Sequence, residues 1–296
     1  MKVLITGCNG LLGQKLCELF MGSHSVYGID VQEKALVLPA EKYYSLDLTD
    51  RKRSLQLLLD LKPDYIINAA AYTDVDGAET ERELCWKINV ELVENLIYAA
   101  RKIKATIGHI STDYIFDGKD GPYAEDARPN PIGYYGRSKL AAENALLDSS
   151  VDFFIARTMV LYGMSKNGKP NFVTWLIGQL ANQKPVRIVN DQYGNTTLVD
   201  ELAAGILTLI EKEYLGIINI AGREIINRYE FATRVADIFG FDNELITPIT
   251  TEELNQPAPR PLNSGLIVDK AVKELYIELS DVVEGLNKFK LMYYSD

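Results

Sequence analysis

No stretch of this chain approaches the roughly 20 apolar residues that a membrane-spanning helix needs, so no membrane partner is expected for its 296 residues. The opening apolar run, Val3-Leu4-Ile5, is too short for a secretory signal. Cysteine is scarce. Cys8, Cys17 and Cys85 are odd in number and lack metal-ligand spacing, which excludes a disulfide framework and suits free thiols in a reducing cytoplasm. Histidine is scarcer: His24 and His109 have no partner spacing for a metal or a triad, so structural roles are expected. Positive charge is in deficit, with a net charge of −10. That excludes a general nucleic-acid binder, which needs a basic surface. Any anionic ligand must be held by local donors rather than by the field of the whole molecule.

What is present is a well-filled core, at 47% hydrophobic residues. Short β-branched apolar runs read as buried parallel strands at 3–6, 26–29, 65–68, 106–110 and 153–156. Helical stretches alternate with them at 11–21, 51–61, 79–102 and 135–147. This order predicts an α/β fold, a doubly wound parallel sheet of Rossmann type with helices on both faces. After Arg157 the pattern loosens. Helices are expected at 171–182, 199–213, 228–239 and 282–291, strands at 186–189 and 216–220, and a proline-rich loop at 248–261. The predicted layout is a dinucleotide-binding core over 1–157, to which 190–222 returns. A smaller substrate-binding cap is expected from 158–189 and 223–296.

Gly7-Cys8-Asn9-Gly10-Leu11-Leu12-Gly13 joins the first strand to the first helix. Gly7 permits a tight turn, Gly10 a close backbone approach to a pyrophosphate, and Gly13 close packing. The helix N-terminus supplies N–H donors and the positive end of its dipole. The spacing is Gly-x-x-Gly-x-x-Gly, a variant of the standard fingerprint. Asp30 ends the second strand, 17 residues after Gly13, where an acid binds the adenosine ribose hydroxyls. A carboxylate there repels a 2′-phosphate, and neither Val31 nor Gln32 offers a compensating cation. NADH is therefore favoured over NADPH. Asp47-Leu48 follows a further short strand and is placed to border the adenine. Ala69-Ala70-Ala71-Tyr72, with small side chains after the fourth strand, allow a cofactor to lie on the backbone. Ser111-Thr112-Asp113-Tyr114 ends the fifth strand, where ligands of open α/β sheets bind. Tyr135 and Lys139 stand one helical turn apart, so phenol and ammonium can face one cleft. A nearby cation lowers a phenol pKa and makes tyrosine a proton donor or acceptor near neutral pH.

Together these residues resemble the extended short-chain dehydrogenase/reductase superfamily. Longer strings narrow the match: 72–79 (Tyr-Thr-Asp-Val-Asp-Gly-Ala-Glu), 111–118 (Ser-Thr-Asp-Tyr-Ile-Phe-Asp-Gly), 135–140, 171–173, 191–197 and 260–264. The chain resembles the dTDP-4-dehydrorhamnose reductase family over essentially its whole length. The resemblance implies NADPH- or NADH-dependent reduction of the C4 keto group of a dTDP-linked 6-deoxyhexulose to dTDP-L-rhamnose, in the cytoplasm. It implies a proton from Tyr135, a Lys139 that lowers the Tyr135 pKa and binds the nicotinamide ribose, and a Thr112 that holds the carbonyl oxygen. It implies Asn89 beside the cofactor, and Asn171, Arg260 and Asn263 beside the nucleotide-sugar substrate. A homodimer is allowed. Two features depart from the family. Val160 stands where members often carry tryptophan. Lys15 stands where some bacterial members place an acid for a dimer-bridging metal, so no metal site is expected. Two other readings share the motifs: a non-catalytic subunit resembling the regulatory subunit of methionine adenosyltransferase, and a sugar-nucleotide epimerase.

Overall fold

Val3, Leu4 and Ile5 are all fully buried because successive side chains of the first strand enter two different cores. Val3 and Ile5 face one side and Leu4 the other; Ile67 and Ile66 divide in the same way. This is why the strands read as unbroken apolar runs rather than as alternation. In the computed structural model, which describes residues 1–167 and 169–295, these strands build one seven-stranded parallel sheet.

The first half runs β1 (Lys2–Thr6), α1 (Leu11–Phe20), β2 (Ser25–Asp30), β3 (Tyr43–Ser45), α2 (Arg51–Leu61), β4 (Tyr65–Asn68), α3 (Arg82–Trp86), α4 (Leu92–Ile103), β5 (Thr106–Thr112), α5 (Tyr134–Leu147) and β6 (Phe153–Thr158). The second half runs β7 (Leu161–Tyr162), α6 (Phe172–Ala181), β8 (Val186–Val189), β9 (Tyr193–Asn195), β10 (Thr197–Leu198), α7 (Val199–Glu211), β11 (Gly216–Asn219), β12 (Ile225–Asn227), α8 (Arg228–Phe239), β13 (Ile246–Ile249), α9 (Thr251–Leu254), α10 (Asp269–Lys273) and α11 (Val282–Tyr293).

The sheet order is β11-β6-β5-β4-β1-β2-β3. The chain winds outward from β1 to β3, then returns to β1's other side at β4. The crevice above β1 and β4 is thus the switch point at which such sheets bind ligands. Helices α1 and α7 cover one face; α2, α4 and α5 cover the other. A segment from the second half returns to the sheet, with β11 pairing with β6 at its edge. A third core gathers Tyr162, Leu176, Phe231 and Phe289 from later elements, whose strands form only two-stranded ribbons. No helix among the described residues is long and apolar enough to cross a membrane.

Two expectations are corrected. The helix expected over 79–102 is broken: α3 and α4 are separated by a π-helical turn at Lys87–Glu91. A π turn accommodates one extra residue and marks a local demand on the backbone; here it carries Asn89, whose side chain is bonded to a neighbouring loop. The proline-rich segment is not all loop. Residues 246–249 pair in parallel with β8, Pro248 included. A two-stranded ribbon leaves one edge of each strand free, so the missing N–H of Pro248 costs no ladder bond.

Candidate active site

The glycine loop makes a tight turn between β1 and α1. Gly7 has φ 62°, and a Cβ there would lie 2.8 Å from Ala70 Cα, so no side chain fits. Gly10 is the N-cap of α1 and offers no side-chain cap. The first N–H groups of α1 are therefore left for a ligand, and an anion suits that end of the helix. At Gly13 a Cβ would collide with the carbonyl oxygen of Gly7. Its smallness thus serves the packing of helix on loop more than of helix on sheet. The cradle formed by Gly7, Ala70 and the open end of α1 fits a dinucleotide pyrophosphate.

Around this cradle several expected ligand groups are already engaged. Asn9 Nδ2 donates to Lys34 O at 2.8 Å, and its Oδ1 accepts from the Leu36 N–H at 3.0 Å. Its side chain is a clasp between the loop and the segment after β2. Asp30 accepts from the backbone N–H groups of Asn9 (3.1 Å) and Gln32 (3.3 Å). Both donors are neutral, so the carboxylate charge stays uncancelled at the end of β2. Leu11 is partly buried and Leu12 fully so, both packed in the core below the loop. Asp47 is exposed and turns back on Thr49, and Leu48 is a core residue, so only their backbone can border a base. Ala69, Ala70, Ala71 and Tyr72 are half-buried at the end of β4. Asn89 Oδ1 accepts from the Tyr72 N–H at 2.8 Å and its Nδ2 donates to Ser138 Oγ at 2.9 Å. The amide is 1% exposed and fixes the loop that follows β4.

Helix α5 brings Tyr135 and Lys139 to the ends of β4 and β5, both below 10% exposure. It begins just past the prolines at 129 and 131, and its N-terminal Tyr134 N–H is bonded by Glu79 Oε1 at 2.7 Å. Buried Glu143 on the same helix pairs with Arg157 of β6 at 2.8 Å, which fixes the helix on the sheet. The expected electrostatics are corrected. The Tyr135 phenol is pushed up, not down: burial is the main cause, the Asp113 and Tyr114 charges add to it, and the Thr112 hydroxyl pulls the other way. Lys139 Nζ donates to Ile110 O at 2.6 Å and meets His109 Nε2 at 3.3 Å. One helical turn of spacing puts the two residues on one face but does not aim the ammonium at the phenol. Burial pushes Lys139 down to about 8, against the upward pull of Glu143.

Thr112 lies beside Tyr135, yet its hydroxyl donates to Asp113 Oδ1 at 3.0 Å and accepts from the Tyr114 N–H at 3.2 Å. To hold a carbonyl oxygen it must re-aim that proton. Asp113 also accepts from Ser264 Oγ at 2.6 Å, and burial pushes it up to about 6. These groups floor a pocket lined by Asp113, Tyr114, Tyr193, Thr196, Arg228 and Ser264. Arg228 and Thr196 had no functional reading in the sequence. Arg228 opens α8 and faces Asp113 and Tyr114, with burial lowering its pKa. Thr196 Oγ1 is buried without a partner among the described residues. Arg260 lies behind the lining residue Tyr114, over its ring and 2.9 Å from Asp76. Asn171 and Asn263 are both engaged with backbone. Asn171 caps α6 and donates to Gly163 O at 2.7 Å; Asn263 donates to Gly121 O at 2.9 Å. Val160 holds φ 47°, a left-handed conformation that a β-branched residue rarely adopts. Lys15 pairs with Glu18 and Asp200, and among the described residues no group of three His, Cys, Asp or Glu side chains is placed to hold a metal.

The family model described as RmlD substrate binding domain matches residues 1–293. A dTDP-4-dehydrorhamnose reductase of Aggregatibacter actinomycetemcomitans is 32% identical, with 98% of each chain covered. The methionine adenosyltransferase 2 subunit beta of Xenopus laevis is also 32% identical, over 92% of this chain and 82% of that one. Among solved structures, a dTDP-4-dehydrorhamnose reductase from Bacillus anthracis in complex with NADP superimposes with a TM-score of 0.89 at 31% identity. That match covers 98% of this chain and 99% of the other.

Proposed function

This chain belongs to the RmlD substrate binding domain family, and from that premise we propose that it reduces the 4-keto group of a dTDP-linked 6-deoxyhexulose to dTDP-L-rhamnose. The observation that carries the reading is the buried Tyr135 at the end of β5, beside Thr112 and next to the pocket that Asp113, Tyr114 and Arg228 line. A phenol whose pKa is raised by burial stays protonated, which is the state a proton donor to a developing alkoxide needs. The nicotinamide supplies the hydride when bound.

The chain's own groups do the rest. Gly7, Gly10, Gly13 and the first N–H groups of α1 hold the pyrophosphate. Asp30 takes the adenosine ribose. Its uncancelled charge favours NADH, although the solved relative from B. anthracis binds NADP. Lys139 holds the nicotinamide ribose and stabilises the phenolate that Tyr135 becomes. Thr112 turns its hydroxyl from Asp113 to the substrate oxygen, where a donor counts most as charge develops. Arg228 and Arg260 answer the negative charge of the nucleotide diphosphate, which the acidic surface as a whole does not attract. Free, buried thiols fit a cytoplasmic setting, and a homodimer is compatible with this site because all its groups come from one chain.

The test is a panel of 4-keto sugar nucleotides with NADH and NADPH, read as cofactor consumption and product stereochemistry. Consumption with the dTDP-linked 4-keto-6-deoxy sugar supports the reading. Turnover without net consumption marks an epimerase, and no turnover with any member marks a non-catalytic subunit; either outcome overturns it.

A further inference from the structure

A continuous chain of buried hydrogen bonds runs from the nucleotide cradle to Lys139. The Ala70 N–H donates to Thr6 Oγ1 at 3.2 Å, and Thr6 Oγ1 meets Asn68 Oδ1 at 2.6 Å. Asn68 Nδ2 meets His109 Nδ1 at 3.1 Å, and His109 Nε2 meets Lys139 Nζ at 3.3 Å. Thr6, Asn68, His109 and Lys139 are each no more than 3% exposed. Ala70 is the residue against which Gly7 packs, so the chain starts at the wall of the cradle.

The chain has a direction, fixed at its first link. A backbone N–H can only donate, so Thr6 Oγ1 accepts from Ala70. Its single proton must then go to Asn68, its remaining partner among the described residues. The recipient on Asn68 is the carbonyl oxygen, which turns the NH₂ toward His109. Nδ1 of His109 therefore accepts, and the ring proton sits on Nε2, pointing at Lys139. A neutral amine can accept that proton while donating to Ile110 O. An ammonium has no lone pair and meets the Nε2–H with like polarity.

We propose that Thr6, Asn68 and His109 form a positioning chain that opposes the ammonium form of Lys139 and so sets the upper pH limit of catalysis. The other titratable groups around Lys139 are Cys85 on α3 and, on its own helix, Tyr135 and Glu143, the last tied to Arg157 of β6. None of these donates to Nζ, so the Nε2–H is the one obligate donor aimed at it among the described residues. Burial, joined by the Lys139 charge, keeps His109 in the neutral form that this direction requires. The inference rests on the reading of Lys139 as the partner of Tyr135, and its first test does not.

That first test is nitrogen NMR of the ring tautomer. The chain has two histidines, so a His24→Gln variant assigns His109 outright. The expected result is a neutral ring protonated at Nε2 across pH 6 to 9, a window of about three units around the ordinary histidine value. A ring protonated at Nδ1, or one that titrates in this window, overturns the proposal whatever the protein catalyses. The second test is the pH profile of kcat for Asn68→Leu. Without the amide, the ring is free to turn its lone pair to Lys139, so the basic limb should move up by about one unit. A purely structural Asn68 would lower the rate and leave the limb in place, and that outcome also overturns the proposal. A protein inactive on every substrate sinks the functional reading and leaves the tautomer result standing.

Discussion

The core and the cap hold their backbones together by different means. In the core, seven parallel strands satisfy one another in an unbroken ladder, and side chains are left free to pack or to face ligand. In the cap, strands of two to four residues make only ribbons, and asparagine side chains complete what the ladders lack. Asn195 Nδ2 donates to Gly222 O at 2.6 Å, and its Oδ1 accepts from the Leu266 N–H at 2.7 Å. Asn263 Nδ2 donates to Gly121 O at 2.9 Å. An amide carries a donor and an acceptor, as a peptide does, and can stand in for a missing strand. The lesson is that a buried asparagine among the short ribbons is first a piece of backbone.

The comparison predicts that core and cap nevertheless melt together. Leu4→Ala in one core and Phe231→Ala in the cap should each cost roughly 3 to 5 kcal/mol and lower one shared calorimetric transition. The physical links are the Gln14 side chain on the Lys166 backbone, Ser264 on Asp113, and Asn219 of β11 on the Ile267 carbonyl. Two resolved transitions would break the comparison into two independent units. A smaller effect tests the asparagine rule itself. Asn195→Ala leaves buried backbone groups unpaired and should cost about 1 to 3 kcal/mol by urea titration. A neutral result would show that the ribbons stand without it. The smallest effect concerns specificity in the core. Asp30→Asn removes a charge near the ribose and should shift the ratio of kcat/KM for NADPH over NADH upward by roughly tenfold. An unchanged ratio would mean the carboxylate serves only the loop N–H groups it already holds.

Legibility in the sequence followed the same division. The strands, the glycine loop and the Tyr135–Lys139 pair were readable because each is a local pattern with a fixed period. The bonds of Asn89, Asn171 and Asn263 were not readable because an amide suits a ligand and a backbone equally well, and only long-range contacts decide which it meets. Arg228 and Thr196 were silent because the pocket they share joins residues far apart in the chain. The direction of the Tyr135 shift was misread for a related reason. Spacing puts Lys139 on the right face, but the Ile110 carbonyl and His109, both on β5, decide where its Nζ points. The π turn at Asn89 left no periodic signal, since one added residue hides within a long helical pattern.

The central claim is that Tyr135 gives its proton to a sugar oxygen at a site otherwise complete without it. Rapid-mixing measurement of nicotinamide oxidation by Tyr135→Phe, with the dTDP-linked 4-keto-6-deoxy sugar in excess, tests it directly. The predicted result is a rate about 10²- to 10⁴-fold below the unsubstituted protein, with cofactor affinity unchanged by fluorescence titration. A rate within a few-fold of the original would contradict the account and move the proton donor elsewhere in the pocket.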